Sequence, residues 1–138
     1  QPDLRLRQLV CGVNQSALPS DLDLVVLFGS RAKGSANESS DWDLAVLLQP
    51  NPQDPLRLFG LDLELARALG CSSDALDVVD LSRSSYLLQR VVAEDGQLLF
   101  ERQPGTFAAF KSRARRQWAD WTRRQAKLEL ERAGAVLE

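Results

Sequence analysis

Two aspartates stand two positions apart where an apolar segment begins. Asp41 and Asp43 lie in "SDWDLAVLL", ten residues after Gly29-Ser30, which ends an earlier apolar segment. Like charges held close together repel each other unless a cation or water relieves them. Because side chains alternate along a strand, Asp41 and Asp43 share one face. Hard divalent ions such as Mg²⁺ prefer oxygen ligands, so we interpret the two acids as metal ligands.

The Gly29-Ser30 turn is interpreted as a phosphate-binding site. Glycine lets a ligand approach the backbone without a Cβ in the way, and the N–H groups of a short helical turn from Ser30 would face the same place. Arg31 and Lys33 are either further phosphate ligands or solvated cations of the loop, and we weigh the two alternatives equally. Of the two residues, Arg31 is the better candidate for a phosphate ligand because it adjoins the Gly-Ser turn. A P-loop is excluded because Lys33 precedes Gly34 instead of following the second glycine.

A third carboxylate is expected from a neighbouring strand in "ALDVVDL". Asp77 and Asp80 are separated by an odd number of positions, so only one of them can face the acid pair in a regular strand. We choose Asp77 because it lies inside the apolar run, where an unpaired carboxylate is hard to tolerate. Asp80 is expected to end the strand or to cap the helix that follows.

Composition limits the classes of protein that remain possible. The chain has 138 residues, 44% of them hydrophobic, and a net charge of −2, which predicts one globular domain over residues 1–138. The chain lacks the run of roughly 20 apolar residues that spans a membrane, so we expect a soluble, cytoplasmic protein. Histidine is absent, and Cys11 and Cys71 lie far apart, which excludes a zinc site and a histidine-based triad.

Alternating segments predict an α/β fold with a covered central sheet. The strands are predicted from aliphatic runs: Leu22 to Phe28, Trp42 to Leu48, Ala75 to Leu81, and Gln97 to Glu101. The helices are predicted from helical spacing of apolar residues and from stop signals: Leu4 to Ala17, Pro55 to Leu69, Ser84 to Glu94, and one long amphipathic helix from Pro104 onward.

The last predicted helix carries a cluster of basic residues. They are Lys111, Arg113, Arg115, Arg116, Arg123, Arg124 and Lys127. We interpret the cluster as a solvated polar face, and contact with RNA phosphates or with acids of a protein partner stays open. Trp118 and Trp121 are expected in the core, with a docking anchor for a partner as the alternative.

The motif and the order of segments resemble the DNA polymerase β-like nucleotidyltransferase superfamily. "LFGSRAKGS", "SDWDLAVLL", "LDVVDL" and "EDGQLLFE" follow one another as in its smallest branch, the minimal nucleotidyltransferases (MNT). Within that branch the chain is most similar to MntA-type antitoxins, which act with a HEPN-domain ribonuclease toxin. The resemblance implies a single-domain polymerase β-like fold with a mixed central sheet, flanking helices and a long C-terminal helix.

The resemblance also implies an activity and its residues. It implies an antitoxin of a type VII-like pair that transfers AMP from ATP to a tyrosine hydroxyl of the HEPN toxin, with which it forms a hetero-oligomer. Asp41, Asp43 and Asp77 would be catalytic and bind two Mg²⁺ ions, and Gly29, Ser30 and Arg31 would bind the nucleotide. Neither a membrane nor direct RNA binding is expected.

Two other functions stay open. The protein could be a non-catalytic antitoxin that masks a toxin by contact, or a nucleotidyltransferase that acts on a small molecule or an RNA end. The complete acid trio favours catalysis, because masking requires no metal site. The chain shows no second domain of the kind carried by drug-modifying members of the superfamily, which weakens an antibiotic-inactivation function.

Overall fold

The computed structural model describes residues 18–29, residue 32 and residues 41–137, with side chains as far as residue 134. The predicted helix Leu4 to Ala17 lies outside these residues, and so do Ser30, Arg31 and Lys33. Within the described part, strands and helices alternate as expected of an α/β fold.

Among the described residues, four strands form one mixed sheet in the order β3-β2-β1-β4. Their bounds are Leu22–Phe28 for β1, Trp42–Leu48 for β2, Leu76–Asp80 for β3 and Gln97–Glu101 for β4. Strand β1 pairs antiparallel with both β2 and β4, and β2 pairs parallel with β3. The predicted bounds of β1, β2 and β4 are confirmed. β3 is shorter than predicted because Ala75 and Leu81 belong to 3₁₀ turns.

Three helices complete the described part: α1 (Leu61–Leu69), α2 (Tyr86–Asp95) and α3 (Thr106–Leu137). The prediction that the first of these begins at Pro55 is wrong, because the chain up to Gly60 forms hydrogen-bonded turns and Gly60 itself is left-handed, with φ 92°. Helix α1 ends at Leu69 and is followed by Gly70 as its left-handed C-cap, as predicted. Helix α2 begins after Ser85, whose Oγ accepts a hydrogen bond from the Leu88 N–H at 3.1 Å.

The two faces of the sheet are covered by different helices. Helix α1 packs on the face that carries Trp42, Leu44 and Val46. Helices α2 and α3 pack on the other face, together with the side chains at alternating positions of the same strands, Ala45 of β2 and Val79 of β3. The alternation of β2 therefore assigns Asp43 to the α2–α3 face of the sheet.

The prediction that the tryptophan pair lies in the core is wrong. Trp118 is half-buried, and Trp121 is 36% exposed. The two rings stack with centroids 5.3 Å apart, and the Arg90 guanidinium lies over the Trp118 ring. The buried side chains of α3, Phe107, Phe110 and Ala114, lie in its first third, so the 32-residue helix continues beyond the layer on which it packs.

Several cations of α3 already have partners within the chain. Arg115 pairs with Glu94, and Arg123 pairs with Asp120. Lys111 lies over the Phe107 ring, at 4.6 Å from its centroid. These contacts agree with a solvated polar face for this part of the basic cluster.

An ion pair between Arg57 and Asp21 connects the turn before α1 to the start of β1. The Arg57 guanidinium donates two hydrogen bonds to the Asp21 carboxylate, at 2.7 and 2.9 Å, and a third contact reaches Glu64 at 2.8 Å. Hydrogen bonding from Arg57 holds the pKa of Asp21 below its usual value. The pair is bidentate and largely shielded from water, which makes it stronger than an ordinary surface pair.

Candidate active site

Two of the predicted site acids are direct neighbours across the sheet. Asp43 of β2 pairs in register with Asp77 of β3 on one side and with Phe28 of β1 on the other. Neighbouring strands lie ≈ 4.8 Å apart, and residues in register project to the same face. Asp43 and Asp77 therefore form a side-by-side pair of carboxylates near the beginning of two parallel strands.

The pKa of Asp43 reflects the closeness of these carboxylates. Burial raises the pKa of Asp43, and the nearby charges of Asp77 and Asp41 raise it further. Asp41, the residue just before β2, is exposed to solvent. All three predicted acids thus contribute to one region of negative charge, whose mutual repulsion a bound cation would relieve.

The donor set of this region suits Mg²⁺. It consists of carboxylate oxygens, the ligands that this hard ion prefers, and it leaves room for phosphate oxygens as further ligands. Among the described residues, no group of three or more acidic, cysteine or histidine side chains is already gathered closely enough to hold an ion by itself.

Gly29 is packed directly against the Asp43 carboxylate. It follows the last residue of β1 and has a φ of 76°, a left-handed conformation that glycine adopts without strain. A Cβ built at this position would lie only 2.2 Å from Asp43 Oδ2. The glycine is therefore required for two reasons, its backbone conformation and the closeness of the carboxylate.

Asp80 serves the turn after β3. Its carboxylate accepts hydrogen bonds from the Ser82 N–H at 3.0 Å and from the Ser82 Oγ at 2.7 Å. This is the expected capping role, although the element it caps is the 3₁₀ turn Leu81–Arg83 and not a longer helix. Asp77 and Asp80 thus lie at opposite ends of a five-residue strand.

Sequence reasoning missed a residue that holds Ala32 by a long-range hydrogen bond. Gln97, the first residue of β4, donates a side-chain hydrogen bond to the backbone carbonyl of Ala32. In the sheet, Gln97 pairs with Leu27, two positions before Gly29. The hydrogen bond therefore joins Ala32 to β4, the neighbour of β1 on the side away from β2. No local motif marks Gln97, because its partner lies 65 positions away.

A cavity of about 460 Å³ opens beside Asp77. Its lining comes from the turn before α1, from the start of α1 and from β3: Leu58, Phe59, Gly60, Asp62, Leu76, Asp77 and Val78. The Phe59 side chain is 81% exposed. Sequence reasoning placed Phe59 on the apolar face of a helix from Pro55 and so missed its exposed position on the turn before α1.

Comparison with known proteins assigns the fold to a family. The model of the family described as polymerase beta, nucleotidyltransferase matches residues 15–105. The chain is 38% identical over 98 residues to the protein adenylyltransferase MntA of Aphanizomenon flos-aquae (strain 2012/KM1/D3). That match covers 67% of this chain and 65% of the relative.

Two solved structures resemble the chain over most of its length. A crystal structure of a toxin–antitoxin with AMP-PNP aligns with a TM-score of 0.65 and 27% identity, over 91% of this chain and 97% of that chain. The complex of tri-AMPylated Shewanella oneidensis HEPN toxin with MNT antitoxin aligns with a TM-score of 0.59 and 25% identity. The alignment covers 94% of this chain and 97% of that chain.

The family match includes Gly29, Asp41, Asp43 and Asp77. The mixed four-stranded sheet, the long last helix and the paired carboxylates at the start of β2 and β3 agree with it. The chain belongs to the polymerase beta nucleotidyltransferase family.

Proposed function

We propose that this protein is the antitoxin of a HEPN/MNT toxin–antitoxin pair and transfers AMP from ATP to a tyrosine hydroxyl of the HEPN ribonuclease toxin. The observation that carries the proposal is the Asp43–Asp77 pair, with Gly29 packed against it, in a chain of this family. The name of the curated relative and the AMPylated toxin in the structural neighbour support the choice of acceptor.

We propose that Asp41, Asp43 and Asp77 hold two Mg²⁺ ions together with oxygens of ATP. When bound, the ions neutralise charge on the triphosphate and favour the deprotonated acceptor hydroxyl. Asp43 suits this role because its partial burial and the nearby charges of Asp77 and Asp41 already disfavour a bare carboxylate at this place.

Residues of the chain bind the phosphates and take the proton of the acceptor. Gly29 and Ser30 bind the β- and γ-phosphates, and Arg31 is a further phosphate ligand. Asp77, on the acceptor side, helps to take the proton from the tyrosine hydroxyl. The tyrosine oxygen attacks the α-phosphorus, the bond from that phosphorus to the bridging oxygen breaks, and pyrophosphate leaves. Positioning and charge neutralisation carry most of such a reaction.

The proposal also covers the partner of the protein, its domain and the compartment of the reaction. The toxin is both partner and substrate, so the two proteins form a hetero-oligomer, and residues 1–138 act as one minimal nucleotidyltransferase domain. No helix in the part of the chain that the structure describes is long and apolar enough to cross a bilayer. We place the reaction in the cytoplasm, where ATP and the RNA target of a ribonuclease are found together.

Labelled ATP tests the proposal directly. The protein is incubated with Mg²⁺, ATP labelled at the α-phosphate and one acceptor at a time: the HEPN toxin, a set of small hydroxyl compounds, or RNA. We expect label on the toxin alone, lost with Asp43→Asn and kept with Asp80→Asn. Label on RNA or on a small molecule would identify a different nucleotidyltransferase. An inhibited but unlabelled toxin would establish masking by contact.

A further inference from the structure

An apolar cavity of about 430 Å³ opens between the start of α2 and the middle of α3. The described residues that line it include neither an acid nor a cation: Ser84, Ser85, Tyr86, Leu87, Trp118 and Trp121. We propose that this tryptophan groove docks an apolar segment of the HEPN toxin that carries acidic residues. The inference rests on the proposed function for the identity of the partner, and it adds the surface that holds this partner.

The apolar side chains of the groove are partly in contact with water. Trp121 is 36% exposed, Tyr86 39% and Leu87 55%. Single exposed apolar residues are ordinary, whereas a contiguous set of them around one cavity is typical of a binding surface. Tryptophan and tyrosine are also enriched among the residues that dominate the free energy of protein association. The groove therefore has the composition of a protein-docking site.

Helix α3 extends the groove past the start of α2. Glu94, near the end of α2, pairs with Arg115, whereas Tyr86, at its start, lines the groove together with Trp121. The two helices are therefore antiparallel, and α3 continues beyond the first turn of α2. Leu128 follows Trp121 by seven positions on the same helix face, and its side chain is 43% exposed. A segment that lies along this face would cover the groove and Leu128 together.

The cations beside the groove determine the charge of the segment that fits it. The Arg90 guanidinium lies 5.2 Å from the centroid of the Trp118 ring. Arg124 is exposed and follows Trp121 by three positions, which places it beside the groove. Asp120, the acid between the two tryptophans, is already paired with Arg123. An apolar surface with cations at its edge is complementary to an apolar segment that carries acids.

Single-stranded RNA fits the groove less well than a protein segment does. Bases stack on open ring faces, and an RNA chain requires cations for a series of phosphates. The Trp118 ring is already in contact with both Trp121 and Arg90. Arg115 and Arg123 are already paired with acids of this chain. The observations therefore favour a protein occupant.

The groove is separate from the candidate active site. Asp77 lies at the beginning of β3, whereas the groove begins after the turn Leu81–Arg83 at the other end of that strand. None of the site acids lines the groove. We therefore expect changes in the groove to alter the affinity for the toxin without altering the chemical step.

The first test measures binding without catalysis. Isothermal titration calorimetry with the purified HEPN toxin, in the absence of ATP, gives Kd for the parent, Trp121→Ala and Leu87→Ala. The control is Leu63→Ala, because Leu63 is similarly exposed, at 51%, on α1 at the opposite face of the sheet. We expect Kd to rise about 30-fold in Trp121→Ala and about fivefold in Leu87→Ala. It should change by less than about twofold in the control.

The same variants separate docking from transfer. At saturating toxin, kcat for AMP transfer and KM for ATP should equal those of the parent in both groove variants. Should Trp121→Ala lower the melting temperature, Leu87→Ala, with its exposed side chain, decides the result. A parent that binds the toxin through the groove and transfers no AMP would refute the proposed function alone.

Three results would overturn the docking inference. The first is a parent that does not bind the toxin, or binds it with the same Kd as both groove variants, even if AMP is transferred. The second is a dimer of the parent that dissociates in Trp121→Ala, which would assign the groove to a second copy of this chain. The third is binding of single-stranded RNA that Trp121→Ala abolishes.

The second test addresses the charge of the segment. Arg124→Glu and Arg116→Glu change the net charge equally, but Arg116 lies on the side of α3 away from the tryptophans. We expect Arg124→Glu to raise Kd for the toxin about tenfold at low salt and Arg116→Glu to raise it less than about twofold. The difference should disappear near 1 M salt, where charges are screened within about 3 Å. Equal effects of the two variants would show that the groove does not recognise acids of the toxin.

Discussion

Replacing Gly29 with alanine is expected to disturb the site and the fold through one identifiable contact. The added Cβ would lie 2.2 Å from Asp43 Oδ2, whereas ordinary contacts begin near 3.4 Å, so the carboxylate would have to move by about 1 Å. The glycine also has a φ of 76°, a conformation that is unfavourable for alanine by roughly 1–2 kcal/mol.

The two effects predict different consequences for activity and stability. A displacement of about 1 Å in a catalytic group can lower a rate by about two orders of magnitude, so we expect AMP transfer by Gly29→Ala to fall at least about 100-fold. The free energy of unfolding should fall by about 2–3 kcal/mol, of which roughly half comes from the backbone and the rest from the contact with Asp43.

A double-mutant cycle isolates the contact. Urea unfolding is measured for the parent, Gly29→Ala, Asp43→Ala and the double variant. Truncating Asp43 removes the oxygen that the new Cβ would meet, so Gly29→Ala should destabilise the Asp43→Ala background by about 1 kcal/mol less than the parent. If Gly29→Ala costs the same free energy in both backgrounds, the packing of Gly29 against Asp43 is not what requires a glycine.

Three further outcomes follow from the described contacts. Asp43→Asn should abolish AMP transfer yet melt no lower than the parent, because it removes a half-buried charge whose pKa is raised by desolvation and by neighbouring acids; a lower melting temperature would contradict this. Asp77→Asn should lose far more activity than Asp80→Asn, which should lose stability through the missing cap of the 3₁₀ turn; similar activity losses would mean that the two roles are misassigned. The pKa of Asp21 is lowered by Arg57, so the pair stabilises the fold above the unfolded-state pKa of about 4, and this stabilisation is lost as pH falls through the lower folded-state value. Urea unfolding of Arg57→Gln should therefore show a loss of about 1–2 kcal/mol at pH 7 that disappears near pH 2, and an equal loss at both pH values would refute the assignment.

The strands were the most predictable part of the fold. The run Leu22–Phe28 is aliphatic almost throughout and ends at Gly29, so its bounds follow from local composition. Strand β2 ends before Pro50, which also gives a local signal. The phase of β3 was predictable as well, since Asp77 lies within the apolar run and Asp80 at its end.

Helical spacing alone was misleading before α1. Leu56 and Phe59 before α1, and Leu63 within it, recur as on one helix face, but their side chains are 63%, 81% and 51% exposed. Periodicity reports that apolar residues are aligned, and it does not report whether another element covers them. The same reason explains Trp121, which continues the apolar spacing of α3 but stays partly exposed beside the start of α2.

Contacts between distant segments could not be predicted from the sequence. Gly29 was interpreted as a phosphate-binding glycine from its place after a strand, but its approach to Asp43 depends on the antiparallel register of β1 and β2. The hydrogen bond from Gln97 to Ala32 depends on the pairing of β1 with β4. Both contacts arise only when the sheet is assembled.

The measurement that tests the central claim most directly is intact-mass spectrometry of the HEPN toxin after incubation with this protein, ATP and Mg²⁺. The account predicts mass additions in steps of one AMP, mapped by peptide analysis to tyrosine, together with loss of ribonuclease activity. The additions should be absent when Asp41→Asn or Asp43→Asn replaces the parent protein. A toxin that is inhibited while its mass stays unchanged would contradict the account.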